Sequence, residues 1–197
     1  MKRLILICLP LILLAGACKN KKATDMQPEN PFFTAFDTPY GVPAFDKIKN
    51  EHYLPAFKEG IKRQEQEIKA ITDNKEAPDF ENTILALDQS GEMLTTVSSV
   101  FFNLLSAVSS DSLQAIAKEV TPLVTDHQNN IMLNEDLFKR VKTVYDARTK
   151  LNLTTEQATV LDDCYKSFVR GGALLDEASK QRLREINEQL SVIGPDY

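Results

Sequence analysis

The residues that could carry out chemistry in this 197-residue chain are few and widely separated. Its two histidines, His52 and His127, lie far apart in the sequence. A helix-borne zinc site of the H-E-x-x-H type needs two imidazoles one turn apart with a glutamate beside them. His52 is followed instead by Tyr53–Ala56, so the pattern fails at once. His127 falls on the apolar phase of a helical pattern, which is typical of a satisfied, half-buried structural histidine.

The other candidate groups also fit structural roles better than catalytic ones. Cys164 lies between apolar neighbours on a predicted helix, as a small buried hydrophobe does, and a catalytic thiol would need a histidine partner. Asp162 and Asp163 are adjacent and therefore point apart on a helix. Gly171–Gly172 follows a helix and lacks the spacing of a phosphate-binding loop. The sequence thus predicts no catalytic and no metal-binding residue in this chain.

Cys18 is the one residue for which the sequence predicts a covalent modification. Lys2-Arg3 precede an uncharged run, Leu4–Ala17, which is shorter than the roughly 20 residues of a membrane span. A basic start, an apolar stretch and small residues are typical of an export signal. Because a cysteine follows, the end of this run resembles the lipobox of bacterial lipoproteins. Residues 1–17 are thus predicted to be a lipoprotein signal peptide and Cys18 the lipidation site; a plain signal peptide with an incidental cysteine is the alternative.

Residues 18–31 are predicted to form a polar tether, because they contain two prolines and show no periodicity. Lys19 stands where some lipoproteins carry the aspartate that retains them at the inner membrane. The expected location is therefore the outer membrane, facing the periplasm. The net charge of the chain is −5, and removal of the basic signal makes it more negative. Since no basic face is available to displace counterions, the composition excludes phosphate-led nucleic-acid binding.

Hydrophobic periodicity predicts an all-α fold, an antiparallel array of about six helices. The composition, 43% hydrophobic and 26% charged, is that of an ordinary globular protein. An extended aromatic segment with prolines at intervals precedes the helices, and its rings are expected to pack against them. Apolar residues then recur at three- and four-residue spacing. The predicted helices are Glu51–Thr72, a long apolar helix Asp79–Val108, a third capped by Asp111, a fourth opened by Asn134, a fifth with a Thr154–Gln157 capping box, and a sixth that starts at Asp176. Gly91 lies on the apolar stripe of the second helix, where it is expected to permit the close approach of a neighbour or to mark a kink.

Several ordered sequence blocks resemble one peptidase family. The blocks are Asn30–Phe32, Tyr40–Pro43, Phe45–Ile48, Glu51–Ala56, Phe80–Ile84, Ser99–Asn103, Phe168–Ala173 and Leu183–Asn187. In this order they are similar to the amino-terminal part of bacterial peptidyl-dipeptidases, also called dipeptidyl carboxypeptidases. These enzymes are relatives of oligopeptidase A and thimet oligopeptidase. The similarity extends over nearly the whole stretch from Asn30 to Ile193.

The resemblance implies a largely helical zinc metallopeptidase that cleaves short peptides inside a deep channel, with the matched part forming a wall of that channel. Family members are several times longer, and their H-E-x-x-H lies beyond the matched part. Residues 32–197 are therefore expected to be a truncated helical region without a catalytic domain, inactive alone and without zinc of its own. Its expected partners are short peptides in the full-length family, the membrane through lipidated Cys18, and the missing catalytic region.

Two further hypotheses remain open at this point. The first is a stand-alone helical lipoprotein that binds peptides or a partner protein without catalysis. In that case, the wide apolar face of the second helix must be covered within the chain or by the partner. The other is an independent hydrolase with a novel site, which the absence of a clustered set of ligand residues disfavours.

Overall fold

Residues 30–193 are described by a computed structural model. The predicted signal peptide, Cys18 and nearly all of the predicted tether lie outside these residues. Within them every regular element is helical and no strand occurs, which confirms the all-α class. The six long helices are α1 (Asn50–Asp73), α2 (Glu92–Val108), α3 (Asp111–Met132), α4 (Glu135–Ala147), α5 (Thr155–Arg170) and α6 (Glu177–Ile193). Shorter elements are 3-10 turns at Pro31–Phe33, Pro39–Gly41 and Arg148–Lys150, a π-helical segment Phe80–Leu85 and the short helix Ala86–Asp88.

Most helix starts follow the capping residues that the sequence indicated. The Asn134 side chain accepts a backbone N–H of the first turn of α4 at 2.9 Å. The predicted capping box of α5 is present, because Thr154 N–H donates to Gln157 Oε1 at 3.0 Å and Gln157 N–H donates to Thr154 Oγ1 at 3.2 Å. The cap of α3 differs from the prediction. Ser110 caps this helix, and Asp111 is its first residue.

The predicted single helix Asp79–Val108 is interrupted, and this prediction was wrong. The π-helical segment and the short helix Ala86–Asp88 come first, and α2 begins only at Glu92. Between them Gly91 adopts a left-handed conformation with φ of 76°, which glycine tolerates because it has no Cβ. A Cβ at this position would also lie 2.4 Å from the Gln64 side chain of α1. The glycine therefore permits both the break and the close approach of α1.

We expect Gly91→Ala to lower the free energy of unfolding by about 2 kcal/mol, because alanine is strained in this conformation and would displace Gln64. Urea unfolding followed by circular dichroism measures the loss. Gly41→Ala is the matched control, since Gly41 has φ of 66° but has no atom within 4 Å of its Cβ position. An equal loss in the two variants would contradict a role for the Gln64 contact.

By length and composition alone, one helical stretch among the described residues, Phe80–Val108, could cross a membrane. Gly91 divides this stretch. The Leu94, Val97 and Phe101 side chains of α2 are buried in a core shared with α1 and α3. A core helix can meet the same length and hydropathy criteria as a membrane span, and α2 is a core helix in this fold.

Two apolar cores organise the body. The first joins α1, α2 and the beginning of α3, and Phe32 of the aromatic segment closes it. The Phe101 ring lies at its centre and makes edge-to-face contacts with Tyr53 and Phe57 at centroid distances of 5.0 and 5.5 Å. The second core joins the end of α1, the π-helical segment, α4 and α5. There the Phe138 ring stacks against Phe168 at 5.9 Å.

Helix α6 packs on α3 but contributes no apolar side chain to either core. Its buried contacts are polar. The Lys180 ammonium donates to Glu135 at 2.7 Å and to Glu177 at 2.8 Å, and these hydrogen bonds raise the pKa of Lys180. The Asn187 amide donates to Asn129 Oδ1 of α3 at 2.7 Å. The helix is thus fixed to the body by hydrogen bonds and charge.

Candidate functional site

The two histidines lie in different parts of the fold and have different structural roles. His52 Nδ1 accepts the Lys49 N–H at 3.1 Å and so closes the amino terminus of α1. His127 lies on α3 and contacts a different part of α1. In residues 30–193 no group of three or more His, Cys, Asp or Glu side chains could hold a metal ion. The donor set of this part of the chain therefore does not fit a zinc centre.

His127 belongs to a buried polar network at the Gly91 break. Its Nε2 donates to Gln64 Oε1 at 2.8 Å, and Gln64 Nε2 donates to Ser90 Oγ at 3.2 Å. The adjacent Gly91 N–H donates to Glu67 Oε2 at 2.7 Å. The acceptor at Gln64 fixes the proton of the neutral imidazole on Nε2. This network ties α1, the break and α3 together, and it contains no nucleophile positioned beside the imidazole.

His127 is more buried than the sequence indicated, with 3% of its surface exposed. Its Nδ1 is buried and has no hydrogen-bond partner. Burial lowers the pKa of His127 below its usual value, and the negative charges of Glu65 and Asp126 oppose this shift only in part. The imidazole is thus held neutral, and a proton added to Nδ1 would have no acceptor.

The lowered pKa of His127 predicts a pH-dependent stability. Below about pH 6.5 the unfolded chain binds a proton that the folded chain resists, so the free energy of unfolding should decrease as the pH falls from 7 to 5. His127→Gln should remove this part of the pH dependence while retaining a side chain that can donate to Gln64. Urea unfolding at a series of pH values tests it. Identical pH profiles for the two proteins would contradict the assignment.

Cys164 is a packed thiol. Burial, with a smaller effect from the negative charge of Asp88, raises its pKa to about 11, so the thiol stays protonated near neutral pH. It lines a cavity of about 410 Å³ between the π-helical segment, α3 and α5, beside Asp163. The histidine nearest to this cavity, His127, is already bonded to Gln64. These observations agree with the structural role predicted for Cys164.

A groove of about 650 Å³ lies between the aromatic segment and α2. Its walls are Phe32, Phe36 and Met93, with threonine and serine hydroxyls of α2 along one side. Arg63 and Glu92 bring one charge of each sign to its edge. The lining includes no histidine or cysteine, so the groove has the chemistry of a binding surface and lacks that of a hydrolytic site.

The outer face of α6 is apolar and uncovered. Ile186, Leu190 and Ile193 follow helical spacing and are 38%, 59% and 50% exposed. The last helix is therefore where the sequence placed it, but these three residues, termed here the α6 face, stay partly exposed. Other exposed apolar residues are Val192 on the same helix, Leu174 and Leu175 shortly before it, and Leu123 on α3. Monomeric proteins seldom leave such a stripe exposed unless something binds to it.

Comparison with known proteins gives one consistent relationship. Dipeptidyl carboxypeptidase of Escherichia coli (strain K12) is 41% identical over 168 residues, which are 85% of this chain and 25% of that protein. The dipeptidyl carboxypeptidase of Salmonella typhimurium is 40% identical over 164 residues, 83% of this chain and 24% of that protein. Oligopeptidase A of Escherichia coli is 25% identical over 160 residues, 81% and 24% of the two chains. No family model matches the chain.

Residues 30–193 thus form a helical region in which no cluster of metal-ligating side chains occurs. The chain is a homologue of the dipeptidyl carboxypeptidases and, more distantly, of oligopeptidase A, which confirms the resemblance derived from its sequence blocks. It spans about a quarter of the length of the curated relatives it matches.

Proposed function

We propose that this chain is the helical amino-terminal part of a lipid-anchored zinc peptidyl-dipeptidase and is inactive by itself. The main support for this proposal is the 41% identity to a dipeptidyl carboxypeptidase over 85% of the chain. Zinc and the peptide-cleaving groups belong, on this proposal, to a catalytic region outside the matched part. The absence of a ligand cluster in residues 30–193 agrees with this division, and no catalytic step is assigned to the residues described.

The proposed role of these residues is to form one wall of a channel that admits short peptides. The exposed stripe Ile186, Leu190 and Ile193 of α6 offers a surface on which a catalytic region can pack. The polar side of α6 is occupied by its contacts to α3, so the outward stripe is free for this purpose. Packing on the stripe would bury apolar area that otherwise costs free energy in water.

A chimeric enzyme tests this role. Residues 30–193 replace the matched segment of Escherichia coli dipeptidyl carboxypeptidase, and release of carboxy-terminal dipeptides is measured. We expect activity in the chimera and its loss when Leu190→Glu places a charge in the packed stripe. A folded, zinc-loaded chimera without activity would contradict the proposal. So would stoichiometric zinc binding or dipeptide release by the isolated chain.

The proposed anchor is the Cys18 thiol, carrying acyl chains at an outer membrane and facing the periplasm. Its support is the lipobox-like sequence Leu14–Cys18. Mass spectrometry of the chain from bacterial membranes should give a protein that begins at Cys18 and carries acyl groups, and Cys18→Ser should abolish both. A processed chain without acyl groups would support the plain signal peptide instead.

A second candidate is a lipoprotein that binds peptides or a partner protein without catalysis. The 650 Å³ groove beside α2 favours it, because apolar walls and hydroxyl groups suit an extended peptide. The codons that follow Tyr197 discriminate between the two functions. A continuation that encodes H-E-x-x-H supports the peptidase, whereas a stop followed by an unrelated gene, together with calorimetric binding of short peptides, supports the binding protein.

A further inference from the structure

The exposed large apolar side chains of residues 30–193 include two groups. One is the α6 face. The other, termed here the aromatic patch, consists of Phe33, Tyr40, Val42 and Phe45. The sequence pattern predicted that the rings of this segment would pack on the helices, and only part of that prediction holds. Phe32 and Phe36 turn inward, but Phe45 is 55% exposed and Tyr40 is fully exposed.

The aromatic patch belongs to a fixed surface. Phe45 lines a shallow apolar depression of about 390 Å³ with Leu104 and Ala107 near the end of α2. This depression adjoins the 650 Å³ groove, because Pro43 and Val100 line both. The patch therefore continues from the aromatic segment onto α2.

A hydrogen-bonded turn presents Tyr40 to solvent. The Gly41 N–H donates to the Thr38 carbonyl at 3.0 Å, and the Thr38 hydroxyl donates to the Val42 carbonyl. Tyr40 itself has φ of 62°, a left-handed conformation that is unusual for an aromatic residue. Such a conformation persists only where the surrounding structure enforces it. The turn thus fixes the backbone at Tyr40, from which the ring projects into solvent.

Charges near the aromatic patch carry both signs. Asp37 and Asp46 are exposed, as are Lys47 and Lys49, and the Lys49 ammonium lies 3.9 Å from the Glu51 carboxylate. Because charges of both signs alternate here, the surface suits an apolar partner with a polar boundary better than a strongly charged one. Tyrosine and phenylalanine rings favour the boundary between lipid headgroups and acyl chains for the same reason.

We infer that the aromatic patch rests in the interfacial layer of the membrane to which Cys18 is attached. The inference depends on the proposed anchor. Residues 19–30 separate Cys18 from the first described helical turn, so Pro31 at the start of the aromatic segment can lie at most about 47 Å from the lipidated cysteine. Tethering at this range gives a weak surface contact a high effective concentration. The aromatic segment packs on α1 and α2, whereas α6 packs on α3, so the aromatic patch and the α6 face lie on different elements.

A single tryptophan reports the contact directly, because the chain contains none. The mature chain from Cys18 to Tyr197, carrying Tyr40→Trp, is coupled through Cys18 to a maleimide lipid in phosphatidylethanolamine–phosphatidylglycerol vesicles with brominated acyl chains. Burial raises the pKa of Cys164 to about 11, which slows its reaction with maleimide relative to that of an exposed thiol. We expect the tryptophan emission to shift to the blue and to be more than halved by the brominated lipid. Leu190→Trp on the α6 face is the matched control and should be quenched little.

Further variants separate the competing outcomes. Phe45→Glu in the Tyr40→Trp background should prevent quenching without changing the far-UV circular dichroism. If the tryptophan of the lipid-coupled protein kept the emission wavelength of a tryptophan exposed to water, the inference would be overturned. A concentration-dependent blue shift without vesicles would also overturn it, because it would mean that a second copy covers the patch. The maleimide lipid attaches the chain to the vesicle whether or not Cys18 is acylated in the cell. This experiment therefore tests membrane contact by the aromatic patch, and mass spectrometry tests the proposed anchor separately.

Discussion

Phe101→Ala is expected to lower the free energy of unfolding by about 3–5 kcal/mol, the cost of removing a fully buried phenylalanine ring and leaving a cavity. The Phe101 side chain has no exposed surface. Its ring contacts Tyr53, Phe57 and Phe102 at centroid distances of 5.0, 5.5 and 5.1 Å. These rings come from both α1 and α2, so the cavity would loosen the contact between the two helices at the centre of the first core.

Urea unfolding followed by far-UV circular dichroism measures this loss. The matched control is Phe33→Ala, which removes the same ring from a side chain that is 39% exposed. We expect the control to cost about 1 kcal/mol or less, because its ring lies at the surface. Equal losses in the two variants would mean that Phe101 does not lie in a packed core.

Arg140→Met is expected to lower the free energy of unfolding by about 3 kcal/mol, because three partly buried acceptors would lose their charged donor. The Arg140 guanidinium on α4 is almost fully buried. One of its nitrogens donates to the carbonyl oxygens of Asn74 and Glu76 at 3.0 and 3.3 Å. The other terminal nitrogen donates to Asn82 Oδ1 at 2.9 Å. A single side chain thus fixes the connection between α1 and the π-helical segment.

Hydrogen exchange localises the effect of this substitution. Amides of residues 74–85 should lose protection in Arg140→Met more than those of the first core. Arg148→Met provides the same change at an exposed site, where the guanidinium lies 4.1 Å from the centre of the Tyr145 ring. A loss of about 1 kcal/mol or less is expected there. If the two substitutions were equally costly, the hydrogen bonds of Arg140 would not be the source of the loss.

The sequence determined the helices because their periodicity and caps are local properties. The Thr154–Gln157 capping box and the Asn134 cap depend only on residues within one turn, and both were predicted correctly. At Gly91 the sequence indicated a kink or a close approach, but the full break was not predicted because the apolar stripe continues across it. Its cause is not local: α1 approaches the glycine closely enough for Gln64 to lie where a side chain would be.

The orientation of α6 shows a second limit of periodicity. The spacing of Ile186, Leu190 and Ile193 identifies an amphipathic helix, but it does not say which face contacts the body. Here a polar side of the helix is bound, because Lys180 donates to Glu135 of α4 and Asn187 donates to the buried Asn129 of α3. Those partners lie far away in the sequence, so no local pattern indicates them.

The candidate site was predictable only in part. The exclusion of an H-E-x-x-H centre follows directly from the residue types. Gln64 gave a usable signal, since it is a polar residue in the apolar phase of α1, and it proves to be the partner of His127. Glu67 gave none, because an exposed-looking glutamate on a helix is usually solvated. Its bond to the Gly91 N–H becomes visible only once the break is known.

The polar attachment of α6 has a consequence for how the molecule opens. The helix itself has no fully buried apolar side chain, since its buried residues are Lys180 and Ser191. Its own side chains therefore contribute little of the hydrophobic penalty that normally couples a terminal helix to global unfolding. We expect α6 to undock as a separate cooperative unit, well before the two cores melt. A binding partner could thus capture the helix in a new position and leave the rest of the fold intact.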